Sequence, residues 1–151
     1  MKVTYAALSA AFADIKDLDV KQVGDKIGGK VKINIDDGHF QNACALRLSY
    51  ALNKVGVIIT AQDGAVSSGA DGKKYLYRID DVEKLVKNKL IFPEILTGII
   101  SSDFKGKQGI IVFRGCGWSD AAGHIDLYDG TKVEDHDFST KCGRITLYVL
   151  P

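Results

Sequence analysis

Residues 40–55, FQNACALRLSYALNKV, give the clearest structural signal in the chain. Apolar residues recur there at the spacing of one face of an α-helix. The polar residues fall on the other side: Arg47, Asn53 and Lys54. Asn42 is the predicted N-cap, because its side chain can accept a hydrogen bond from the first-turn amides, and Gly56 ends the helix. The sequence therefore predicts a helix over 42–54 with Cys44 in its first turn.

Two shorter helices are predicted before this one and another after it. Residues 4–15 are rich in alanine and leucine, and residues 19–27 stop at a pair of glycines, which commonly end helices. Residues 61–74 form a polar, Gly-rich loop, residues 75–79 a short strand, and residues 80–89 the last helix. The first two thirds of the chain are therefore mostly helical.

The last third has the character of a β-sheet. Residues 109–114 are an apolar run, and residues 124–128 alternate between polar and apolar side chains. Asp129-Gly130 is a strong hairpin signal, so residues 131–136 are predicted to return as the partner strand, and residues 144–150 form a final strand. Helices followed by an antiparallel meander predict an α+β fold, with N-terminal helices packed on an antiparallel sheet.

Length, charge and hydropathy narrow the class of protein. The 151 residues suit a single domain over 1–151, and such a chain buries about 70% of its unfolded surface. The net charge of +1 comes from scattered residues, which argues against nucleic-acid binding. No stretch has the roughly 18 apolar residues of a membrane span, and acids interrupt the apolar N-terminus, so no signal peptide is expected. These features are those expected of a protein that stays in the cytoplasm or is exported by a route that needs no cleavable signal.

The three cysteines, Cys44, Cys116 and Cys142, form no disulfide framework because their number is odd. A bridge between Cys116 and Cys142 would leave Cys44 free. Cys44, His124 and His136 lack the close paired spacing of zinc sites, and no glycine segment matches a phosphate-binding loop. We therefore expect neither metal nor cofactor.

Cys44, His124 and a group of acids form a candidate active site. The amides and dipole at the start of a helix favour a thiolate, which is the reactive form of cysteine. A cysteine nucleophile needs a base, and the base needs a third polar group to orient it. Acids follow His124 closely: Asp126, Asp129, Glu134, Asp135 and Asp137. The alternatives are a core cysteine, a structural histidine and a solvated hairpin tip.

The predicted hairpin ranks the acids that could orient His124. A turn at Asp129-Gly130 places residue 124 opposite residue 135, so Asp135 is the preferred acid. Asp126 comes second because it shares a strand face with His124, and Asp137 comes third.

Four segments carry a family resemblance: residues 40–53, 68–73, 109–113 and 117–130. They resemble the type VI secretion amidase effectors, family four, and the matching blocks extend over about 29–137. The resemblance implies a papain-like fold of the NlpC type. It also implies a toxin that is delivered by the type VI secretion apparatus from the producer's cytoplasm into the periplasm of rival bacteria, and that is neutralised by a cognate immunity protein.

The implied reaction is hydrolysis of the bond between D-glutamate and meso-diaminopimelate in peptidoglycan stem peptides. By the same resemblance, Cys44 is the nucleophile, His124 the base and Asp135 the acid. Around residues 134–138 the sequence departs from the family pattern, with Asp137 where members often have a cysteine.

Further site residues complete the hypothesis. The Cys44 backbone amide is expected to hold the oxyanion with Gln41 or Asn42, although helix capping accounts equally well for Asn42. Gly117, Trp118 and Ser119 are expected to bind substrate, with a buried core tryptophan as the alternative for Trp118. A catalytically silent cell-wall-binding module and a different acyl-transfer enzyme are the competing functions.

Overall fold

A computed structural model describes residues 1–40, 42–119 and 122–151. These residues form five α-helices, six β-strands and a 3₁₀ turn at Ser101–Phe104. The helices are α1 Tyr5–Ala13, α2 Val20–Ile27, α3 Gly29–Asp36, α4 Cys44–Lys54 and α5 Ile79–Lys89. The strands are β1 Val66–Ser68, β2 Lys74–Leu76, β3 Glu94–Gly98, β4 Gly109–Arg114, β5 His124–Tyr128 and β6 Arg144–Val149.

Two antiparallel sheets are present in the described residues. Strands β1 and β2 form a small hairpin, and the other four lie in the order β3-β6-β4-β5. The predicted α+β class is confirmed, but the predicted meander is wrong because β6 inserts between β3 and β4. In the β4–β5 pair, Phe113 lies opposite His124 and Gly109 opposite Tyr128. His124 therefore sits at one end of an edge strand.

The main sheet is buried on both faces. Ile110 and Val112 of β4 pack with the helices, whereas Ile111 and Phe113 pack in a second cluster on the other face. Successive side chains of a strand point to opposite faces, so both sets must be apolar. This explains why residues 109–114 read as a continuous apolar run rather than an alternating one.

Several predicted boundaries change in the structure. The glycine pair that was expected only to end a helix is a corner between α2 and α3, where Gly28 has φ 69° and Gly29 has φ 59°. A side chain on Gly29 would lie 2.6 Å from the backbone of Gly69, so the corner needs glycine for space as well as for conformation. Strand β3 was not predicted, since its side chains are largely exposed and show no apolar alternation.

The predicted return strand at residues 131–136 is also wrong. Only one bridge forms there, between Tyr128 and Val133, and the chain then leaves the sheet. This change moves the acids of the candidate site, as described below.

Within the described residues, no helix combines the length and apolar character needed to cross a membrane.

Candidate active site

Cys44 is the first residue of α4 and is buried, with 3% of its surface exposed. The helix N-cap is Ala43 rather than the predicted Asn42. Asn42 still satisfies an amide at the helix start, because its Oδ1 accepts a hydrogen bond of 3.1 Å from the Cys44 backbone N–H. The thiol therefore lies at the positive end of the helix dipole.

His124 begins β5, and its side chain is almost fully buried. Its Nε2 lies 2.7 Å from Asp126 Oδ2, and Cys44 lies close enough to the imidazole to influence its pKa. Burial by itself lowers the pKa of His124, but the interactions with Asp126 and Cys44 outweigh it and raise the pKa from 6.5 to about 9. The imidazole is therefore held beside the thiol in a setting that favours the imidazolium.

Asp126 is completely buried, and both of its oxygens are used. Oδ2 accepts from His124 and from the backbone N–H of His136, at 3.0 Å. Oδ1 accepts from the backbone N–H groups of Leu127, at 2.7 Å, and Asp135, at 3.2 Å. A buried carboxylate with this many donors is fixed in place, and it fixes the imidazole in turn.

In the structure the acid that is hydrogen-bonded to His124 is Asp126, the second choice, rather than Asp135, the preferred orienting acid. Because residues 131–136 do not form a strand, the backbone of Asp135 turns towards Asp126, and its side chain lies 3.8 Å from Arg47 Nη1. Burial and the charge of Asp126 raise the pKa of Asp135. Asp137, the third choice, accepts hydrogen bonds from Ser101 and Ser139 instead.

The three side chains of His124, Asp126 and Asp135 could also be considered as metal ligands. One nitrogen and two carboxylate oxygens lie within 4.8 Å of one another. However, Nε2 of His124 is engaged with Asp126, and both oxygens of Asp126 accept from backbone amides. These contacts place the His124 and Asp126 atoms in a hydrogen-bonded network, and the Asp135 carboxylate lies beside Arg47.

Glu134 anchors this network to the first helix. Its side chain is 7% exposed and accepts hydrogen bonds from the Tyr5 hydroxyl, from Ser9 Oγ at 2.8 Å and from Lys16 Nζ at 3.3 Å. Sequence reasoning placed Glu134 only among the acids after the hairpin. Its partners lie more than 100 residues away, and no local pattern indicates such a pairing.

Cys44 and Asn42 lie between two recesses. The larger, of about 510 Å³, is otherwise lined by Arg47, Trp118, His124, Asp135, His136 and Phe138. The smaller, of about 180 Å³, is otherwise lined by Ala45, Tyr77, Arg78, Ile79, Asp80 and Ala122. An extended substrate can therefore approach the thiol from both sides. Sequence reasoning missed Tyr77 and Arg78, which only the fold brings to Cys44.

A disulfide between Cys116 and Cys142 supports the wall of the larger recess, and Cys44 is free, as the cysteine hypothesis expected. Trp118 follows the bridge and packs edge-on against Phe138, with ring centroids 4.8 Å apart. Phe138 also contacts His124 at 4.8 Å. The bridge thus holds together two loops that enclose the imidazole.

The predicted substrate residues meet different outcomes. Trp118 is half-buried: it lines the larger recess and also packs against the second apolar cluster. Gly117 supplies a left-handed turn before it, with φ 72°, and in the described part of the chain neither Gly117 nor Ser119 lines the two recesses. Gln41, an oxyanion candidate, lies outside the described residues.

Comparison with known proteins places this geometry in a family. The family model described as type VI secretion system, amidase effector protein 4, matches residues 40–148. A search of curated protein sequences gives no match.

Solved structures agree over the whole chain. The type VI effector–immunity complex Tae4–Tai4 from Salmonella Typhimurium contains a chain that is 37% identical, with a TM-score of 0.90 and full coverage of both chains. The corresponding complex from Enterobacter cloacae gives 33% identity and a TM-score of 0.88, also with full coverage of both. The Enterobacter cloacae effector alone gives 34% and 0.88, covering 100% of this chain and 98% of that one. The chain therefore belongs to the family of type VI secretion amidase effector protein 4.

Proposed function

We propose that this protein hydrolyses the amide bond between D-glutamate and meso-diaminopimelate in peptidoglycan stem peptides, through a thioester on Cys44. The observation that carries the proposal is the position of Cys44. It begins a helix, contacts an imidazole that Asp126 holds, and lies between two recesses. Membership of an amidase effector family supports the same reaction class.

The first half of the reaction is acyl transfer to sulfur. The thiolate of Cys44 attacks the γ-carbonyl carbon of D-glutamate, forming a carbon–sulfur bond and a tetrahedral oxyanion. The carbon–nitrogen bond then breaks, and imidazolium His124 donates its proton to the departing amine of diaminopimelate. The high pKa of His124 keeps this proton available at neutral pH.

The second half returns the enzyme to its starting state. Neutral His124 removes a proton from water as the water attacks the thioester carbonyl. The carbon–sulfur bond breaks and releases the γ-carboxylate of D-glutamate. Cys44 leaves as a thiolate and His124 is again an imidazolium.

The oxyanion is proposed to bind at the start of α4. The Cys44 amide donates to Asn42 Oδ1 in the resting structure, so oxyanion binding requires this amide to change acceptor. The side-chain N–H₂ groups of Asn42 and Gln41 are the proposed additional donors. Replacement of Asn42 by alanine tests this role through kcat.

Asp126 and Asp135 are proposed to act on the same imidazole in different ways. Asp126 orients it through a direct hydrogen bond. Asp135 has no such bond, but its carboxylate lies within 4.8 Å of the His124 and Asp126 ligand atoms and adds negative charge beside the imidazolium. The family resemblance favours Asp135 as the essential acid, whereas the hydrogen-bond geometry favours Asp126.

The biological setting proposed here follows the family. The protein is a single papain-like domain of the NlpC type, loaded into a type VI apparatus in the producer's cytoplasm and delivered to the periplasm of a target bacterium. A cognate immunity protein blocks it, as the Tae4–Tai4 effector–immunity complexes of Salmonella Typhimurium and Enterobacter cloacae suggest.

Digestion of purified meso-diaminopimelate peptidoglycan tests the proposal. We expect wild-type protein to release muropeptides that end in D-glutamate, as resolved by chromatography and mass spectrometry, and we expect Cys44→Ala to release none. The melting temperature of each protein shows that both are folded. A folded wild type that binds the wall without releasing product would overturn the proposal in favour of a cell-wall-binding module.

A further inference from the structure

The position of His124 distinguishes the two recesses chemically. The group that protonates the leaving amine must lie on the leaving group's side of the scissile bond. His124 lines the larger recess and is absent from the residues that line the smaller one. The amine half of the substrate therefore belongs in the larger recess, and the acyl half belongs in the smaller recess beside Arg78.

Arg78 is the notable charge of the smaller recess. It is exposed, and its guanidinium carbon lies 5.6 Å from the centre of the Tyr77 ring. Tyr77 is in turn stacked on Phe40, with ring centroids 4.3 Å apart and an interplanar angle of 25°. An aromatic platform restricts the orientations of a guanidinium and suits it to planar recognition of a carboxylate.

The other charges near this recess are already paired. Asp80 lies 2.7 Å from Arg114 Nη1, and the second terminal nitrogen of Arg114 lies 2.6 Å from Glu83. Arg78, by contrast, has no ion-pair partner in residues 1–40, 42–119 and 122–151. The recess therefore offers one guanidinium that can accept an anionic partner from the substrate.

We infer that Arg78 forms a carboxylate-binding subsite for the acyl half of the substrate, and so selects stems whose D-glutamate carries a free α-carboxylate. This inference rests on the proposed function. A D-glutamate linked through its γ-carbonyl keeps its α-carboxyl group free and close to the attacked carbon. An α-amidated D-isoglutamine presents a neutral amide there, which forfeits the charge-assisted, bidentate pairing with arginine.

Two synthetic tripeptides test the subsite directly: L-Ala-γ-D-Glu-meso-diaminopimelate and the same peptide with D-isoglutamine. We expect wild-type kcat/KM to favour the acid by about tenfold or more, the scale of a hydrogen bond to a charged group. Arg78→Gln should slow cleavage of the acid by about the same factor and leave the amide unchanged, so that the preference disappears. Arg78→Lys should retain part of it, because the charge remains but the planar fork does not.

Arg144→Gln is the matched control, since Arg144 is an exposed arginine on β6 that lines neither recess. It should leave both rates unchanged. Equal cleavage of both peptides by the wild type, or an Arg78→Gln variant that keeps the preference, would overturn the inference alone. Cleavage of neither peptide by wild type would overturn the proposed function as well.

Discussion

The cysteine and histidine sides of the site are built by different physical means. On the cysteine side, α4 is held largely by apolar packing, and Leu48 and Leu52 are fully buried. On the histidine side, the irregular segment after β5 is held by the hydrogen bonds of the Asp135 and His136 amides to Asp126, by the contacts of Glu134 and by a disulfide. Changes on the cysteine side should therefore alter stability more than chemistry, except at Cys44 itself, whereas changes on the histidine side should alter the chemistry or substrate binding as well as stability.

The largest expected effect is the loss of kcat in Asp126→Asn, which should far exceed the loss in Asp135→Asn. Asp126→Asn keeps the shape but weakens the hold on the His124 tautomer, so kcat should fall by about 10³-fold or more. Asp135→Asn removes only a nearby charge, and kcat should fall less than about tenfold. Steady-state kinetics of both variants, with melting curves as the control, measure the ranking. A larger effect of Asp135→Asn, which sequence analysis and the family resemblance favour, would contradict this account.

The pH dependence should follow His124. Because its pKa is raised from 6.5 to about 9, the imidazolium persists at neutral pH and kcat/KM should fall above about pH 9. The same shift stabilises the fold: the contribution is complete below pH 6.5 and is lost as pH rises through about 9. In Asp126→Asn the alkaline limb should move to lower pH, as pH–rate profiles would measure. If the alkaline limb of the Asp126→Asn profile stayed at the wild-type pH, the titrating group would not be His124.

Leu52→Ala probes the cysteine side without touching the chemistry. The truncation leaves a cavity under α4 and should lower the free energy of unfolding by about 2–5 kcal/mol. The kcat per folded molecule should remain close to that of the wild type. Denaturant titration and kinetics at low temperature give the two quantities. A kcat loss out of proportion to unfolding would show that helix packing also tunes the thiol.

Removal of the disulfide tests the role of the wall of the larger recess. Cys116→Ser with Cys142→Ser should lower the free energy of unfolding by about 3 kcal/mol, because the bridge closes a loop of 26 residues in sequence. KM should rise more than kcat falls, since the loops of Trp118 and Phe138 are then less ordered. An unchanged KM would show that this wall of the recess does not contribute to substrate binding.

Glu134→Gln should have the smallest effect of the set. It weakens the contacts with Tyr5, Ser9 and Lys16, at a cost of about 1–3 kcal/mol, and loosens the segment that donates to Asp126. A modest fall in kcat should accompany it, and Lys32→Gln, which breaks only exposed ion pairs, serves as the control. Loss of stability with wild-type kcat would mean that the anchor supports the fold but not the site.

The two sides of the site also differ in how well the sequence predicted them. The α4 helix follows from local periodicity, so Cys44 was placed correctly within one turn of its start. The return strand was wrong because a strong Asp129-Gly130 signal was extended into a full hairpin, whereas the chain leaves the sheet after Val133, so the ranking of Asp135 over Asp126 lost its geometric basis. The Glu134 anchor, the Arg78 recess and the insertion of β6 between β3 and β4 depend on long-range contacts with no local pattern.

The most direct test of the central claim is the mass of the enzyme during turnover. Wild-type protein mixed with the L-Ala-γ-D-Glu-meso-diaminopimelate peptide and quenched in acid should carry an L-Ala-γ-D-Glu acyl group on Cys44, located by peptide mapping. Cys44→Ala should carry no adduct and form no product. Cleavage of the peptide by Cys44→Ala at the wild-type rate, without any acylated enzyme, would contradict a reaction through the Cys44 thiol.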